Sequence, residues 1–215
     1  MKNNQERDAE GIFALSPVIP VVTIDAAEDA IPLARALLAG GVATMEITLR
    51  TPAALDAIKA VSAAVPEFVV GAGTVLTKHD LAAVIEAGAR YALSPGGTPK
   101  LLKAARDAAI PFVPGVASAS EVMRGFELGY THFKFFPAEQ IGGAAALKSL
   151  AAPLASARFC PTGSITPALA PSYLALPNVR CVGGSWLAPP EKIKARDWAG
   201  IEAAARLAAS LGKDA

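Results

Sequence analysis

Hydrophobic positions along the chain follow two alternating patterns. Short runs rich in Val, Ile and Phe recur with starts roughly 20 to 25 residues apart, which is the length of a strand plus a crossover helix. Stretches rich in Ala and Leu separate these runs. The eight predicted strands are 18–24, 43–49, 68–74, 91–95, 111–116, 132–137, 158–163 and 179–184.

The stretches between the strands are predicted to be amphipathic helices. The stretch 26–41 has an apolar stripe and stops at Gly40 and Gly41. The stretches 79–89 and 120–130 repeat this scheme of a polar start, an apolar stripe and a glycine near the end. Each predicted helix therefore connects two parallel strands.

Two further helices complete the pattern. The stretch 51–66 begins with Thr51 and Pro52, which predicts Thr51 as the N-cap and Pro52 as the first helical residue. The segment 1–17 is polar and then mildly amphipathic, and we expect a helix here, before the first strand.

Eight strand–helix units predict an α/β fold, a (β/α)₈ TIM barrel with an N-terminal helix. With 215 residues, the chain is expected to form one domain over 1–215. The alternative is an open doubly wound sheet. Against it, no G-x-G-x-x-G motif opens a first helix after the first strand.

The charge balance excludes some classes of partner. Lys and Arg number 20 against 19 Asp and Glu, so the formal net charge is +1 and no nucleic acid partner is expected. No apolar run reaches about 18 residues, and the N-terminus lacks a signal-peptide pattern, so no membrane association is expected. We predict a cytoplasmic protein.

The metal-binding residue types are few. Cys160 and Cys181 belong to no C-x-x-C pair, and the histidines are His79 and His132. We therefore expect no metal site. The cysteines are interpreted as small buried core residues. A disulfide between them stays possible if their strands are neighbours, although a reducing cytosol disfavours it.

Charged residues stand near the carboxyl end of the second strand. Alternation places Glu46, Thr48 and Arg50 on one side. If Met45 and Ile47 face the helices, Glu46 and Arg50 point into the barrel, at the end where TIM barrels carry their active sites. A structural ion pair between Glu46 and Arg50 is the alternative.

A lysine interrupts an aromatic run in the sixth strand. Lys134 lies between Phe133 and Phe135 and points away from both. If these phenylalanines pack against the helices, Lys134 also points inward, and alternation puts Phe136 on its side, where the ring could cover an imine. The alternative is a lysine that extends to solvent at the barrel rim.

These residue types together predict imine chemistry. A neutral amine attacks ketones and aldehydes to form a Schiff base, and the iminium stabilises a carbanion on the adjacent carbon. Glu46 could shuttle protons for Lys134, and Arg50 could hold a substrate carboxylate with two hydrogen bonds. The three side chains predict a lyase that acts on a 2-oxo acid.

Glycine-rich segments follow the last two predicted strands. Their residues Gly163, Ser164, Gly184 and Ser185 belong to the two loops that frequently bind phosphate in this fold. Glycine permits a close backbone approach to the anion, and the serines add hydroxyl donors. A phosphorylated substrate is therefore predicted.

Two other strand ends carry candidate substrate contacts. Thr74 ends the sequence GAGT and offers a hydroxyl to a carboxylate. Pro95, in SPGG, is predicted to form a wall of the pocket. A plain strand-to-helix turn is the alternative for SPGG.

The segments EITLRT, GAGTVL, SPG, KFFPAE, RFCPTGSITP and VGGSWL together resemble the 2-dehydro-3-deoxy-phosphogluconate aldolase family, class I enzymes of the Entner–Doudoroff route. The resemblance runs from about Ser16 to the end of the chain. It implies a homotrimeric (β/α)₈ barrel without a metal or other cofactor. The implied reaction cleaves 2-dehydro-3-deoxy-6-phospho-D-gluconate (KDPG) to pyruvate and D-glyceraldehyde 3-phosphate. The family often also acts on 4-hydroxy-2-oxoglutarate (KHG).

The resemblance also implies a role for each site residue. Lys134 is the implied Schiff-base lysine and Glu46 the proton-transfer group. Arg50 and Thr74 are the implied contacts of the pyruvate carboxylate. The remaining implied contacts are Pro95 and Phe136 along the pocket and Gly163, Ser164, Gly184 and Ser185 around the phosphate.

One position departs from the family pattern, which has PTGG where this chain has PTGS. The Cβ of Ser164 could crowd a phosphate or require a disfavoured φ, and its hydroxyl could equally donate a hydrogen bond. A sister branch for the galactonate epimer has EIPLN and KIFPSS at the matching places, so Arg50 and KFFPAE favour the gluconate branch. Two alternatives stay open, a non-catalytic barrel that binds a phosphorylated sugar acid and a lyase that prefers KHG.

Overall fold

Short parallel strands form the centre of the fold. The computed structural model describes residues 4–211, with side chains from residue 9 onward. The strands within this range are β1 (Val18–Val22), β2 (Thr44–Thr48), β3 (Val69–Gly73), β4 (Ala92–Leu93), β5 (Phe112–Val113), β6 (Gly115–Val116), β7 (His132–Phe135), β8 (Arg158–Pro161) and β9 (Val182–Gly184). Each predicted run contains a strand, and the run 111–116 contains two.

Helices connect the strands and surround the sheet. They are α1 (Asn4–Phe13), α2 (Ala30–Ala39), α3 (Ala54–Ala64), α4 (Lys78–Glu86), α5 (Pro99–Arg106), α6 (Ala119–Glu127), α7 (Gly143–Ala151), α8 (Ala170–Leu174), α9 (Pro190–Lys194) and α10 (Trp198–Ser210), with 3₁₀ turns at Ala27–Asp29 and Glu139–Ile141. The predicted helices at 26–41, 79–89 and 120–130 are confirmed as α2, α4 and α6. Across residues 4–211, no helix combines the length and the apolar character that a membrane span requires.

The strand pairing gives an α/β fold with a curled parallel sheet. Six strands pair in the order β5-β4-β3-β2-β1-β9, and three pair in the order β6-β7-β8. Pro114, which has no backbone N–H, separates β5 from β6. On the other side, single parallel bridges join Phe159 to Val179 and Thr162 to Gly183.

Alternation along the strands produces two apolar layers. Met45, Ile47, Phe133 and Phe135 belong to the larger layer, which lies between the strands and the helices. A smaller layer fills the concave side of the sheet, and its buried members are Ile12, Phe13, Ile19, Tyr91, Leu93, Val113, Cys160 and Cys181. The buried polar side chains Thr44, Glu46, Thr48 and Lys134 have the strand parity of this second layer.

The N-terminal helix α1 covers the amino-terminal end of the strands. The Phe13 ring is buried and contacts the edge of the His132 ring, with 5.2 Å between centroids. His132 Nε2 lies 2.7 Å from Glu10 Oε2, and Arg180 Nε lies 3.4 Å from the other oxygen of Glu10. The carboxyl ends of the strands stay on the opposite side, where a ligand can approach.

The predicted start of the third helix is wrong. α3 begins at Ala54 with Ala53 as its N-cap, and Pro52 lies in the preceding turn. The Thr51 hydroxyl donates instead to the carbonyl oxygen of Ile24, just beyond β1. This long-range bond anchors Thr51 in the loop after β2, and the helix begins three residues later with Ala53 as its N-cap, so Thr51 does not cap it.

We expect Phe13→Ala to lower the free energy of unfolding by about 3 kcal/mol or more, because it leaves a cavity between α1 and the strand ends. Urea denaturation measures this change. Leu207→Ala is the control, since Leu207 on α10 is 51% exposed and its truncation should change stability by less than about 0.5 kcal/mol. Equally small changes in both variants would contradict the place of α1 in the core.

Candidate active site

A buried ion pair lies on the concave side of the sheet. Lys134 Nζ, on β7, donates to Glu46 Oε1, on β2, over 2.7 Å. The two residues are 4% and 1% exposed. Removing two such charges from water costs several kcal/mol per ion, which the mutual attraction only partly offsets. A chain that keeps this pair in its interior therefore has a use for it beyond packing.

The direction of Lys134 follows from its neighbours, as alternation predicted. Phe133 and Phe135 are fully buried in the layer beneath the helices. Lys134 therefore points to the concave side, and its ammonium group does not extend to solvent at the rim. The same alternation buries Met45 and Ile47 under the helices and directs Glu46 inward.

Glycines on β3 leave room for the large groups of the concave side. A Cβ added to Gly73 would stand 1.9 Å from Glu46 Oε1. A Cβ added to Gly71 would stand 2.3 Å from the ring of Tyr91. The carboxylate of Glu46 can reach Lys134 because its neighbour on β3 has no side chain.

Hydroxyl groups fix β2 on both sides of Glu46. Thr44 Oγ1 donates to the carbonyl oxygen of Val69 over 2.7 Å, and Thr48 Oγ1 donates to the carbonyl oxygen of Val22 over 2.9 Å. Tyr91 Oη lies 2.7 Å from Thr44 Oγ1, and burial raises the pKa of Tyr91 well above its ordinary value. The phenol therefore stays protonated and donates to Thr44, which holds Glu46 on a rigid strand.

Phe136 directly follows β7, the strand that carries Lys134, and Pro95 packs against the neighbouring strand β6. The half-buried Phe136 ring has its centroid 5.7 Å from Lys134 Nζ, and the Phe136–Pro137 peptide bond is cis. Pro95 is half-buried and packs against β6 so closely that a Cβ on Gly115 would stand 2.2 Å from its carbonyl carbon. β6 pairs with β7, so both residues border the strand that carries Lys134.

Arg50 differs from its predicted position on an inward-facing strand. β2 ends at Thr48, and the Arg50 N–H donates to the Thr48 carbonyl oxygen over 2.8 Å in a turn. Arg50 is therefore exposed beyond the strand, where the alternation rule no longer applies. Among the described side chains, the ion-pair partner of Glu46 is Lys134, and the alternative pair between Glu46 and Arg50 is not formed.

The loops after β8 and β9 lie next to each other. The bridge between Thr162 and Gly183 joins the start of the loop after β8 to β9 itself, and a Cβ on Gly183 would stand 2.2 Å from Thr162 Oγ1. Beyond the bridge, Gly163 has a φ of 118° and Ser164 a φ of 57°. Ser164 thus adopts the left-handed conformation that a side chain disfavours, one of the two outcomes expected for a serine at this position.

The remaining predicted contacts also lie at carboxyl ends of strands. Thr74 directly follows β3, is half-buried and has a φ of 60°. Gly184 is buried at the end of β9, and Ser185 is exposed directly after it. The predicted residues therefore share one end of the sheet, the end opposite α1.

Sequence reasoning missed two residues of this region. Gly73 faces Glu46, and the alternating glycines in GAG were a signal that a neighbouring strand carries a large group. Gln140 Nε2 donates to Ser164 Oγ over 2.9 Å, a contact across 24 positions that no local pattern announces.

Cys160 and Cys181 are buried and form no disulfide with each other, which confirms their interpretation as small core residues. Burial raises the pKa of Cys181 well above its ordinary value, so its thiol stays protonated. Among the side chains that the structure describes, those of residues 9–211, no cluster of three or more His, Cys, Asp and Glu is placed to hold a metal ion.

A comparison with known protein families identifies the family of this chain. A family model described as KDPG and KHG aldolase matches residues 10–204. The chain belongs to this family. The family is described by the aldol cleavage of two 2-oxo acids, KDPG and KHG.

Individual relatives are similar to this chain over nearly its whole length. The KHG/KDPG aldolase of Escherichia coli strain K12 is 50% identical over 98% of this chain and 99% of its own. The structure of Legionella pneumophila KDPG aldolase, with pyruvate captured as a covalent carbinolamine intermediate, has a TM-score of 0.92 and 48% identity, covering 94% of this chain and 98% of its own. The corresponding Zymomonas mobilis aldolase with 3-phosphoglycerate has a TM-score of 0.91 and 50% identity, covering 95% and 96%.

Gly73→Ala tests the packing around the buried pair. The new methyl group would overlap the Glu46 carboxylate, so we expect a crystal structure in which Lys134 Nζ and Glu46 Oε1 are no longer hydrogen-bonded. Overpacking should also lower the free energy of unfolding by about 1–3 kcal/mol.

Gly96→Ala is the matched control, because a Cβ there meets no atom within 4 Å. It should leave the pair intact and change stability by less than about 0.5 kcal/mol. An unchanged Lys134–Glu46 bond in Gly73→Ala would show that the glycine is not needed for it.

Proposed function

We propose that the protein is a class I aldolase that cleaves KDPG to pyruvate and D-glyceraldehyde 3-phosphate through a Schiff base on Lys134. The observation that carries the proposal is the buried hydrogen bond between Lys134 and Glu46. The covalent carbinolamine named for the Legionella pneumophila relative supports the same chemistry. The dual name of the Escherichia coli relative supports a second substrate, KHG, cleaved to pyruvate and glyoxylate.

Imine formation follows from the geometry of the pair. A proton passes from Lys134 Nζ to Glu46 along their 2.7 Å bond, which leaves a neutral amine beside a carboxylic acid. The amine attacks the C2 carbonyl carbon of the substrate, and one proton of the nitrogen moves to the carbonyl oxygen, which gives a carbinolamine. Glu46 then returns the proton to the carbinolamine hydroxyl, which leaves as water, and the iminium remains on Lys134.

Carbon–carbon cleavage uses the same carboxylate in its charged form. Glu46 accepts the proton of the C4 hydroxyl, the C3–C4 bond breaks, and its electron pair moves into the iminium to form an enamine. The aldehyde is released. Protonation of the enamine at C3 and hydrolysis of the imine give pyruvate and free Lys134.

The other strand-end residues are proposed to position the substrate. Arg50 and Thr74 bind the carboxylate beside C2, and the exposed Arg50 has the freedom to close on it. Pro95 and Phe136 limit water access on the open side of Lys134. The loop residues proposed to surround the phosphate are Gly163, Ser164, Gly184 and Ser185.

We further propose that the curled sheet closes into one (β/α)₈ barrel, with 1–215 as a single domain. The bridges from Phe159 to Val179 and from Thr162 to Gly183 support closure between β8 and β9. On the other side, only Pro114 separates β5 from β6. The homotrimer implied by the resemblance and the cytoplasmic location expected from the sequence stay predictions, and sedimentation tests the trimer.

Trapping with borohydride tests the Schiff base. Pyruvate and borohydride should add one reduced pyruvyl group to the wild-type protein, and peptide mapping should locate it on Lys134. Lys134→Met should remove both the adduct and aldol cleavage, because the thioether cannot form an imine. A coupled lactate dehydrogenase assay measures the released pyruvate.

Lys148→Met is the matched control, since Lys148 is exposed on α7. It should keep the adduct and the cleavage rate. Folded wild-type protein that forms no adduct in excess pyruvate would overturn the proposal. Binding of a phosphorylated sugar acid without pyruvate release would then favour the non-catalytic alternative.

A further inference from the structure

We infer that Gln140 is a positioning residue that turns the Ser164 hydroxyl into a donor for the substrate phosphate, so that this pair raises the preference for phosphorylated over unphosphorylated substrates. The inference rests on the proposed function and deepens it. Its starting point is the 2.9 Å hydrogen bond from Gln140 Nε2 to Ser164 Oγ, between the loops after β7 and β8.

Ser164 occupies a backbone conformation that favours glycine. Its φ is 57°, directly after Gly163 at 118°. A residue with a Cβ disfavours this left-handed region, a strain that a glycine would avoid. Ser164 is exposed, so burial of its side chain does not offset this strain. The hydroxyl group is what the serine adds at this position.

The loop that carries Gln140 is fastened to the loop of Ser164. The Ala138 N–H donates to the Thr162 carbonyl oxygen over 2.8 Å, and the Glu139 N–H donates to the Gly163 carbonyl oxygen over 3.4 Å. The buried Tyr173 hydroxyl also donates to Glu139 Oε1. Gln140 is the next residue, so its amide reaches Ser164 from a fixed backbone.

The polarity of the contact gives the hydroxyl a direction. An amide –NH₂ group can only donate, so the Gln140 bond occupies a lone pair of Ser164 Oγ. The hydroxyl proton remains available, and a hydroxyl that accepts one hydrogen bond becomes a better donor in the next. A phosphate oxygen only accepts, so it is the complementary group. The exposed position of both side chains leaves this donor open to a ligand.

The same geometry predicts a selective effect. Ser164 lies directly after Gly163 on the loop proposed to bind phosphate, and Gln140 contacts it from the loop after β7, whereas the imine forms at Lys134 on β7 itself. KHG has no phosphate to accept a hydrogen bond from the Ser164 hydroxyl. Loss of the pair should therefore lower kcat/KM for KDPG and not for KHG. The loss should appear mainly in KM, because the contact does not touch the reacting carbons.

Four variants test the pair by the ratio of kcat/KM for KDPG to kcat/KM for KHG. We expect Ser164→Ala to lower this ratio about tenfold, since a hydrogen bond to a charged group is lost. Gln140→Ala should lower it about threefold to fivefold. Gln140→Glu should lower it further than Gln140→Ala, because a carboxylate accepts the hydroxyl proton and repels phosphate. The double variant, with alanine at both positions, should lower the ratio no further than Ser164→Ala alone.

Two further variants separate loss of the hydroxyl from changes in folding stability and from substitution of an exposed serine in general. Ser164→Gly removes the hydroxyl and also the strain at φ, so it should fold at least as stably as the wild type and still lower the ratio. Ser172→Ala is the matched control, because the exposed Ser172 donates only to the carbonyl oxygen of Leu169 in its own helix region. It should leave the ratio unchanged.

The result that overturns the inference is distinct from failure of the aldolase proposal. A wild-type ratio in Ser164→Gly and Gln140→Ala, with the pyruvyl adduct present on Lys134, would reject the role of the pair alone. If no adduct forms, calorimetry with 3-phosphoglycerate decides. If the dissociation constant for 3-phosphoglycerate rises at least threefold in both variants, the pair keeps its role in phosphate binding. An unchanged constant rejects that role.

Discussion

The structure depends on one costly interaction, the ion pair of Lys134 and Glu46 inside the sheet. Each charge requires the other, since removal of one partner would leave an uncompensated buried charge. The pair also restricts its neighbours. Phe133 and Phe135 must pack beneath the helices for Lys134 to point inward, and Gly73 must lack a side chain for the carboxylate to fit.

The two ends of the sheet differ in what they carry: packing contacts of α1 at one end and strained loops at the other. At the amino-terminal end, α1 inserts Phe13 into the apolar layer and Glu10 pairs with His132. At the carboxyl end, the loops contain non-glycine residues at positive φ, Thr74 and Ser164. Such strain persists only where the surroundings fix the backbone. Here the surroundings are hydrogen bonds between neighbouring loops, which hold the strand ends in place.

Much of this arrangement could be predicted from the sequence because strand alternation is a local rule. It placed Lys134 and Glu46 on the concave side, and the spacing of the β-branched runs located the strands. Other local patterns failed where the backbone departs from them. The helix expected after Thr51 begins at Ala54, while the Thr51 hydroxyl bonds to a carbonyl beyond β1, and Arg50 lies past the end of β2. The contact of Gln140 with the loop after β8 could not be predicted, because it depends on how two distant loops meet.

The central claim is that the two members of the buried pair act together in imine chemistry, and the rate of imine formation in Glu46→Gln tests it most directly. Rapid mixing with pyruvate, followed by borohydride quenching, measures this rate at Lys134. The account predicts a folded variant that forms the same adduct about 100-fold or more slowly, since the proton acceptor for the amine is lost. Glu86→Gln, at an exposed site on α4, should keep the wild-type rate. A wild-type rate in Glu46→Gln would contradict the account.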